Sequence, residues 1–134
     1  MPQTEKQRVG RIGEDVACKY LVKQGFLIVE RNFWKKFGEI DIVAKKDGIL
    51  HFIEVKSVSR NLARASVSHV TVDSYRPEDN LHPYKLKRFG RAIQVYLEQR
   101  DVPHETPWQI DAITVLVDET KRVGRVEVLG NIVI

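Results

Sequence analysis

Apolar residues recur along this chain with two different periods, and these periods predict two helices and five strands. From about residue 8 to 23 and from about 83 to 99 they return every three to four positions, the spacing of one helix face. Runs rich in Val, Ile and Phe predict strands at 26–32, 38–44, 49–56, 108–117 and 125–134. The predicted order is α-β-β-β-α-β-β, an α/β domain.

Two of these strands carry charges among apolar residues, on either side of the hairpin-type turn Asp47-Gly48. Residues i and i+2 of a strand share a face, so Glu54 and Lys56 are expected on the face of Phe52. Asp41, on the neighbouring strand, stands between two isoleucines. A carboxylate in such a strand is costly unless something pairs with it.

Two interpretations of these charges stay open on the residues alone. In the first, Glu54 and Lys56 form a structural ion pair at the end of a half-exposed strand. In the second, Asp41 and Glu54 supply the hard oxygen ligands that Mg²⁺ or Mn²⁺ prefers. Lys56 would then lie close enough to orient a water molecule or offset the charge of a phosphate.

Both predicted helices carry charged residues that matter to this choice. Glu14 lies at the border of the first helix's apolar stripe, where a carboxylate either points to water or reaches over the edge of a sheet. The second helix has a basic face opposite its apolar one. That face is either solvated surface or a place for phosphate contacts. Its members are Lys85, Lys87, Arg88 and Arg91.

Composition narrows the function classes. The 134 residues fit a single domain over 1–134, and a net charge of +4 permits a polyanionic partner without requiring one. One cysteine, Cys18, fits a reducing compartment, and no apolar run reaches the length of a membrane span, so the cytoplasm is expected. The scattered histidines and the missing glycine-rich motifs exclude a zinc finger and a nucleotide-cradling loop.

Residues 57–82 carry neither period clearly and are rich in Ser, Asn, Arg and Asp. A loop of this length inside a compact domain is more often functional or mobile than inert. Two interpretations stay open. The segment is a substrate flap carrying Arg60, Arg64 and Arg76, or it is a disordered linker.

The motifs together resemble one known family. The chain resembles the YraN family of uncharacterised bacterial proteins, which is itself similar to archaeal Holliday-junction resolvases of the PD-(D/E)XK, restriction-endonuclease-like superfamily. The resemblance covers nearly the whole chain. The motifs that carry it are Gly10-x-x-Gly13-Glu14-x-x-Ala17-x-x-Tyr20-Leu21-x-x-x-Gly25, Arg31-Asn32, Gly38-Glu39-Ile40-Asp41-Ile42-Val43-Ala44 and Phe52-Ile53-Glu54-Val55-Lys56.

The resemblance implies a restriction-endonuclease-like mixed central β-sheet flanked by helices, and a role for each matching residue. Asp41 and Glu54 match the metal ligands, and the main-chain carbonyl of Val55 is a further candidate ligand for the same ion. Lys56 matches the catalytic lysine, and Glu14 completes the acidic cluster. The chain departs from the family where a basic residue often stands two positions after the motif lysine. Val58 occupies that place and Arg60 is the nearest arginine, so Arg60 is the candidate phosphate contact.

The function implied is a Mg²⁺- or Mn²⁺-dependent nuclease that hydrolyses DNA phosphodiester bonds, with branched or flapped DNA as the expected substrate. Junction resolvases are two-fold dimers, and by analogy a homodimer is expected. Two alternatives stay open. One is a non-catalytic nucleic-acid-binding module that keeps the nuclease fold, and the other is a structural or partner-binding protein in which the charges merely pair.

Overall fold

The helices and strands form in the order that the apolar pattern predicts, in a computed structural model that describes residues 3–36, 38–59, 83–118 and 123–132. The α/β architecture is therefore confirmed. No helix among these residues is long and apolar enough to cross a membrane. The elements are α1 (Glu5–Lys23), β1 (Leu27–Lys35), β2 (Gly38–Lys46), β3 (Ile49–Ser59), α2 (Pro83–Gln99), β4 (Trp108–Asp118) and β5 (Val123–Ile132).

The described strands form one mixed sheet in the order β1-β2-β3-β4-β5. β3 and β4 are parallel, whereas the other neighbours are antiparallel. A parallel pair needs a crossover, and α2 lies between β3 and β4 in the chain. In the β2–β3 hairpin, Asp47 and Gly48 have φ values of 52° and 79°, the left-handed conformation that a tight two-residue turn requires.

The two helices cover opposite faces of this sheet, because alternate strand residues pack into two different buried clusters. Because both faces of the sheet are buried, the central strands have nearly continuous apolar runs. The cluster on the α1 face comprises Val9, Ala17, Leu21, Ile42, Ala44, Ile53, Ile113, Val115 and Val117. The cluster on the α2 face comprises Phe33, Ile40, Val43, Leu50, Phe52, Phe89, Ala92, Ile93, Tyr96 and Ile110.

Helix α1 begins three residues before the predicted start at 8 because of its cap. The Thr4 side chain accepts a hydrogen bond from Gln7 N at 3.1 Å, and Thr4 N donates to Gln7 Oε1 at 3.0 Å. This reciprocal capping box satisfies backbone donors at the helix start without any apolar contact. The apolar pattern alone therefore underestimates the length of the helix.

Two predicted boundaries were wrong. β1 continues through Phe33, where the sequence predicted a connection, because Phe33 is buried and packs edge-on against Tyr96 at a ring distance of 5.2 Å. β3 continues to Ser59, which pairs with Val117 of β4, so residues 57–59 belong to a strand rather than to the loop. The rest of the flap predicted at 57–82, residues 60–82, lies outside the described residues.

Two glycines let the helices approach the end of the sheet where β2 begins and β3 ends. A Cβ on Gly13 of α1 would lie 1.7 Å from Ser57 Oγ, so only glycine permits this contact with β3. Gly38 of β2 has φ 154°, and a Cβ there would lie 3.0 Å from the Arg88 main-chain oxygen of α2. The close approach at Gly13 brings the next residue, Glu14, to this end of the sheet.

Candidate active site

Asp41 stands where β2 and β3 stop pairing. The last pair of their ladder is Ile42 with Ile53, and the next position in register would set Asp41 opposite Glu54. Asp41 Oδ2 instead accepts a hydrogen bond from Val55 N at 2.8 Å. The carboxyl thus takes the place of a main-chain partner in the gap between the strands, and the residue is only 9% exposed.

The surroundings of Asp41 disfavour its charge. The pKa of Asp41 is raised from 3.8 to about 8. Burial is the main cause, and the neighbouring carboxylates of Glu14, Glu54 and Glu39 contribute, while the hydrogen bond from Val55 N lowers the pKa. The surroundings therefore favour the protonated form of Asp41. We call Glu14, Glu39, Asp41 and Glu54 the acidic cluster.

Glu14 lies on helix α1, close enough to Asp41 for its charge to raise the pKa of that residue. Burial raises the pKa of Glu14, the Arg31 guanidinium lowers it, and the charges of Glu39 and Asp15 raise it. Arg31 Nη2 lies 3.8 Å from Glu14 Oε1 and 3.0 Å from Asp15 Oδ1. The Glu14 side chain is thus half-buried and within salt-bridge distance of Arg31.

Glu39 and Arg31 are additions to the predicted site residues. Glu39 is exposed and lies two residues before Asp41 in β2, and this closeness along the strand was the signal that could have found it. Arg31 lies on β1, where it pairs with Ile42 of β2, the neighbour of Asp41. Periodicity carries no signal for Arg31, because its position depends on which strands pair.

The donor set of the acidic cluster suits a hard divalent cation in chemistry and charge, because carboxylate oxygens are the ligands that Mg²⁺ and Mn²⁺ prefer. A bound cation would also relieve the repulsion that raises the pKa of Asp41. The carboxylates are not drawn together, however. In the part of the chain that the structure describes, no three His, Cys, Asp or Glu side chains are grouped so that they could hold a metal ion. Metal binding stays a prediction.

Lys56 lies on β3 two residues beyond Glu54 and is half-buried. It stands beside Thr114 of β4 in the parallel register. By strand alternation it shares a face with Glu54. The structure thus leaves Lys56 near the acidic cluster, on the strand that supplies Glu54 and the Val55 main chain.

The basic face of α2 begins beside the acidic cluster. Lys87, Arg88 and Arg91 are exposed, while Phe89 between them is buried in the core. The near contact of Gly38 with the Arg88 main chain sets this part of helix α2 next to the start of β2. No ion pair joins Lys87 or Arg91 to another described residue. The side chain of Lys85 and the whole of Arg60 lie outside the described part of the structure.

An open groove leads to the acidic cluster on the other side. It runs between the first half of α1 and the Arg31-Asn32 segment of β1, with Glu14 in its wall. Asn32 has φ 55°, a left-handed conformation that asparagine tolerates better than most residues. The groove therefore reaches the acidic cluster at Glu14.

A second buried polar group, around Asp111, lies near the other end of β3. Asp111 Oδ2 is 2.6 Å from His51 Nδ1, and Asp111 Oδ1 accepts hydrogen bonds from Gln109 Nε2 at 2.8 Å and Asn131 N at 2.9 Å. These contacts join β3, β4 and β5. Asp111, in the strand predicted at 108–117, is therefore a buried carboxyl group whose hydrogen bonds are satisfied by its neighbours.

Comparison with known sequences gives a consistent result. Residues 13–115 match the uncharacterised protein family UPF0102. A UPF0102 protein of Campylobacter jejuni (strain 81-176) is 43% identical over 109 residues, which cover 81% of this chain and 84% of that protein. A UPF0102 protein of Helicobacter pylori (strain HPAG1) is 40% identical over 123 residues, which cover 92% of this chain and 89% of that protein. These names assign no activity.

Proposed function

This chain belongs to the uncharacterised family UPF0102 (YraN), as the sequence motifs indicated, and we propose that it is a metal-dependent nuclease that hydrolyses DNA phosphodiester bonds. One observation carries the proposal. Asp41 is buried at the opening between β2 and β3 with three other carboxylates close enough to raise its pKa. Strongly perturbed carboxyl groups concentrate at functional sites, where burial and neighbouring like charges shift their pKa values.

Asp41, Glu54 and the main-chain carbonyl of Val55 are the groups that would hold Mg²⁺ or Mn²⁺. A divalent cation bound there would polarise the phosphate and neutralise charge on it. Glu14 completes the negative field from the side of α1. Since the cation competes with the proton on Asp41, its affinity should rise with pH.

The other residues act on the water molecule and on the substrate. The Lys56 ammonium group orients the attacking water or pairs with the charge that develops on the phosphate. Lys87 and Arg91, exposed on α2, bind phosphates that flank the scissile bond. The resemblance to junction resolvases favours branched or flapped DNA as the substrate.

A second candidate function is a nucleic-acid-binding module without catalysis. The observation that favours it is the absence of a three-residue metal-ligand grouping among the described side chains. In that case the basic face of α2 would bind DNA, and the acidic cluster would be a feature of the fold without a cation to hold.

One cleavage assay separates these functions. Labelled linear, flapped and four-way DNA are incubated with Mg²⁺ or Mn²⁺ and the wild type, Glu54→Ala, or the control Glu105→Ala, which removes an exposed carboxylate from the loop before β4. Metal-dependent cutting by the wild type and the control, lost in Glu54→Ala, supports the nuclease. Binding without cutting by all three proteins supports the second function and contradicts the first.

A further inference from the structure

Arg31 links three elements at the edge of the acidic cluster. It lies on β1 opposite Ile42 of β2, the neighbour of Asp41. Its Nη2 donates a hydrogen bond to Asp15 Oδ1 of α1 at 3.0 Å and lies 3.8 Å from Glu14 Oε1. Arg31 is therefore within salt-bridge distance of one member of the acidic cluster.

Glu14 needs such a partner to stay where it is. At the border of the α1 stripe, a glutamate can turn its carboxylate into water at little cost. The charges of Glu39 and Asp15 repel it. Close packing of α1 at Gly13 places the Glu14 backbone but leaves its side-chain rotamers open. The attraction of Arg31 selects the rotamers that face the sheet.

We propose that Arg31 is a positioning residue, which holds the Glu14 carboxylate at the acidic cluster with Asp15 as its second anchor. This inference rests on the proposed function, since the position of Glu14 matters to a cation only if the cluster binds one. Asp15 is the better-bonded partner and is more exposed than Glu14, with 52% of its side chain accessible against 22%. Asp15 therefore anchors the guanidinium, and Glu14 is held by it.

Positioning and simple charge predict opposite results for the loss of Arg31. If Arg31 acts only by its positive charge, its removal makes the cluster more negative and tightens cation binding. If it positions Glu14, its removal releases that carboxylate and weakens cation binding. Loss of a residue that orients a ligand-bearing side chain typically lowers metal affinity about 10- to 100-fold.

The test measures the affinity of the full chain for Mn²⁺ alone, by calorimetric titration. The variants are Arg31→Ala, Arg31→Lys, Glu14→Gln and the double variant Arg31→Ala with Glu14→Gln. The matched control is Arg100→Ala. Arg100 donates two hydrogen bonds to the carboxylate of Glu30, at 3.0 and 2.8 Å, and Glu30 is the neighbour of Arg31 on β1. The control therefore removes a comparable ion pair from β1 without changing a residue of the acidic cluster.

We expect Arg31→Ala to bind Mn²⁺ about tenfold more weakly than the wild type and the double variant to bind as Glu14→Gln does. Arg31→Lys should recover part of the affinity, and Arg100→Ala should match the wild type. Circular dichroism and thermal midpoints identify unfolded variants. If Arg31→Ala does not fold, a wild-type affinity in Arg31→Lys and in Asp15→Asn overturns the proposal.

The outcomes separate this inference from the proposed function. A wild type that binds Mn²⁺ while Arg31→Ala binds equally well or more tightly overturns the positioning role and leaves the nuclease intact. Equal losses in Arg31→Ala and Arg100→Ala would show a general structural effect and also overturn it. A wild type that binds no Mn²⁺ removes the metal-dependent function, and the inference with it.

Discussion

Replacing Asp41 with asparagine should change how the stability of this protein depends on pH. Asparagine has the shape of the protonated acid, and its carbonyl oxygen can still accept the hydrogen bond from Val55 N. Its neutral amide cannot ionise. The variant therefore removes the titration of Asp41 while keeping its packing and its main-chain contact.

The size of the effect follows from the pKa of Asp41, which is about 8 in the folded protein against an ordinary 3.8. A carboxyl group with a raised folded pKa contributes stability that is fully present below about pH 4 and is lost as the pH rises through about 8. Inside this window the loss is about 1.4 kcal/mol per pH unit. Between pH 5 and 7 the wild type should lose about 3 kcal/mol relative to Asp41→Asn.

The assay is urea unfolding of both proteins at pH 5, 6, 7 and 8. The control is Asp47→Asn, which replaces an exposed aspartate in the β2–β3 turn, where asparagine tolerates the positive φ. We expect the control to follow the wild type. Parallel stability curves for the wild type and Asp41→Asn across this range would refute the buried, charge-crowded environment inferred for Asp41.

The remaining predictions concern a cation, a helix contact, DNA binding and a buried hydroxyl. Mn²⁺ should raise the thermal midpoint of the wild type, and the rise should be larger at higher pH. An equal rise in Asp41→Asn would contradict the assignment of Asp41 as a metal ligand. Gly13→Ala should lower the free energy of unfolding in urea by about 1–3 kcal/mol, because its Cβ would meet Ser57. Gly10→Ala, with open space around its Cβ, should raise that free energy by about 0.5–1 kcal/mol. Similar values for both variants would contradict the close contact between α1 and β3. Charge reversal of Lys87 and Arg91 should weaken DNA binding and flatten its salt dependence in fluorescence anisotropy, and identical salt series would remove α2 from the interface. The buried hydroxyl of Thr114 has no hydrogen-bond partner among the described residues, so Thr114→Val should stabilise the protein by about 1 kcal/mol. A lower free energy of unfolding for the variant in urea would contradict the unpaired state of this hydroxyl.

The sequence determined the elements of this protein, because local periodicity reports which residues must be buried. The helix with Glu14 at its border, the Asp47-Gly48 turn and the strands with Asp41 and Glu54 all follow from spacing alone. Their boundaries were less accurate. Phe33 extends β1 through a long-range contact with Tyr96 that no local pattern contains.

Only the tertiary structure decided which charges are neighbours. Glu39 and Arg31 belong to the site because β1, β2 and α1 meet at one end of the sheet. The burial that raises the pKa of Asp41 likewise depends on β2 and β3 separating there. Periodicity specifies the face on which a side chain lies, but not the groups that other elements bring to it. Electrostatic interactions depend on distances through space, and the fold alone sets those distances.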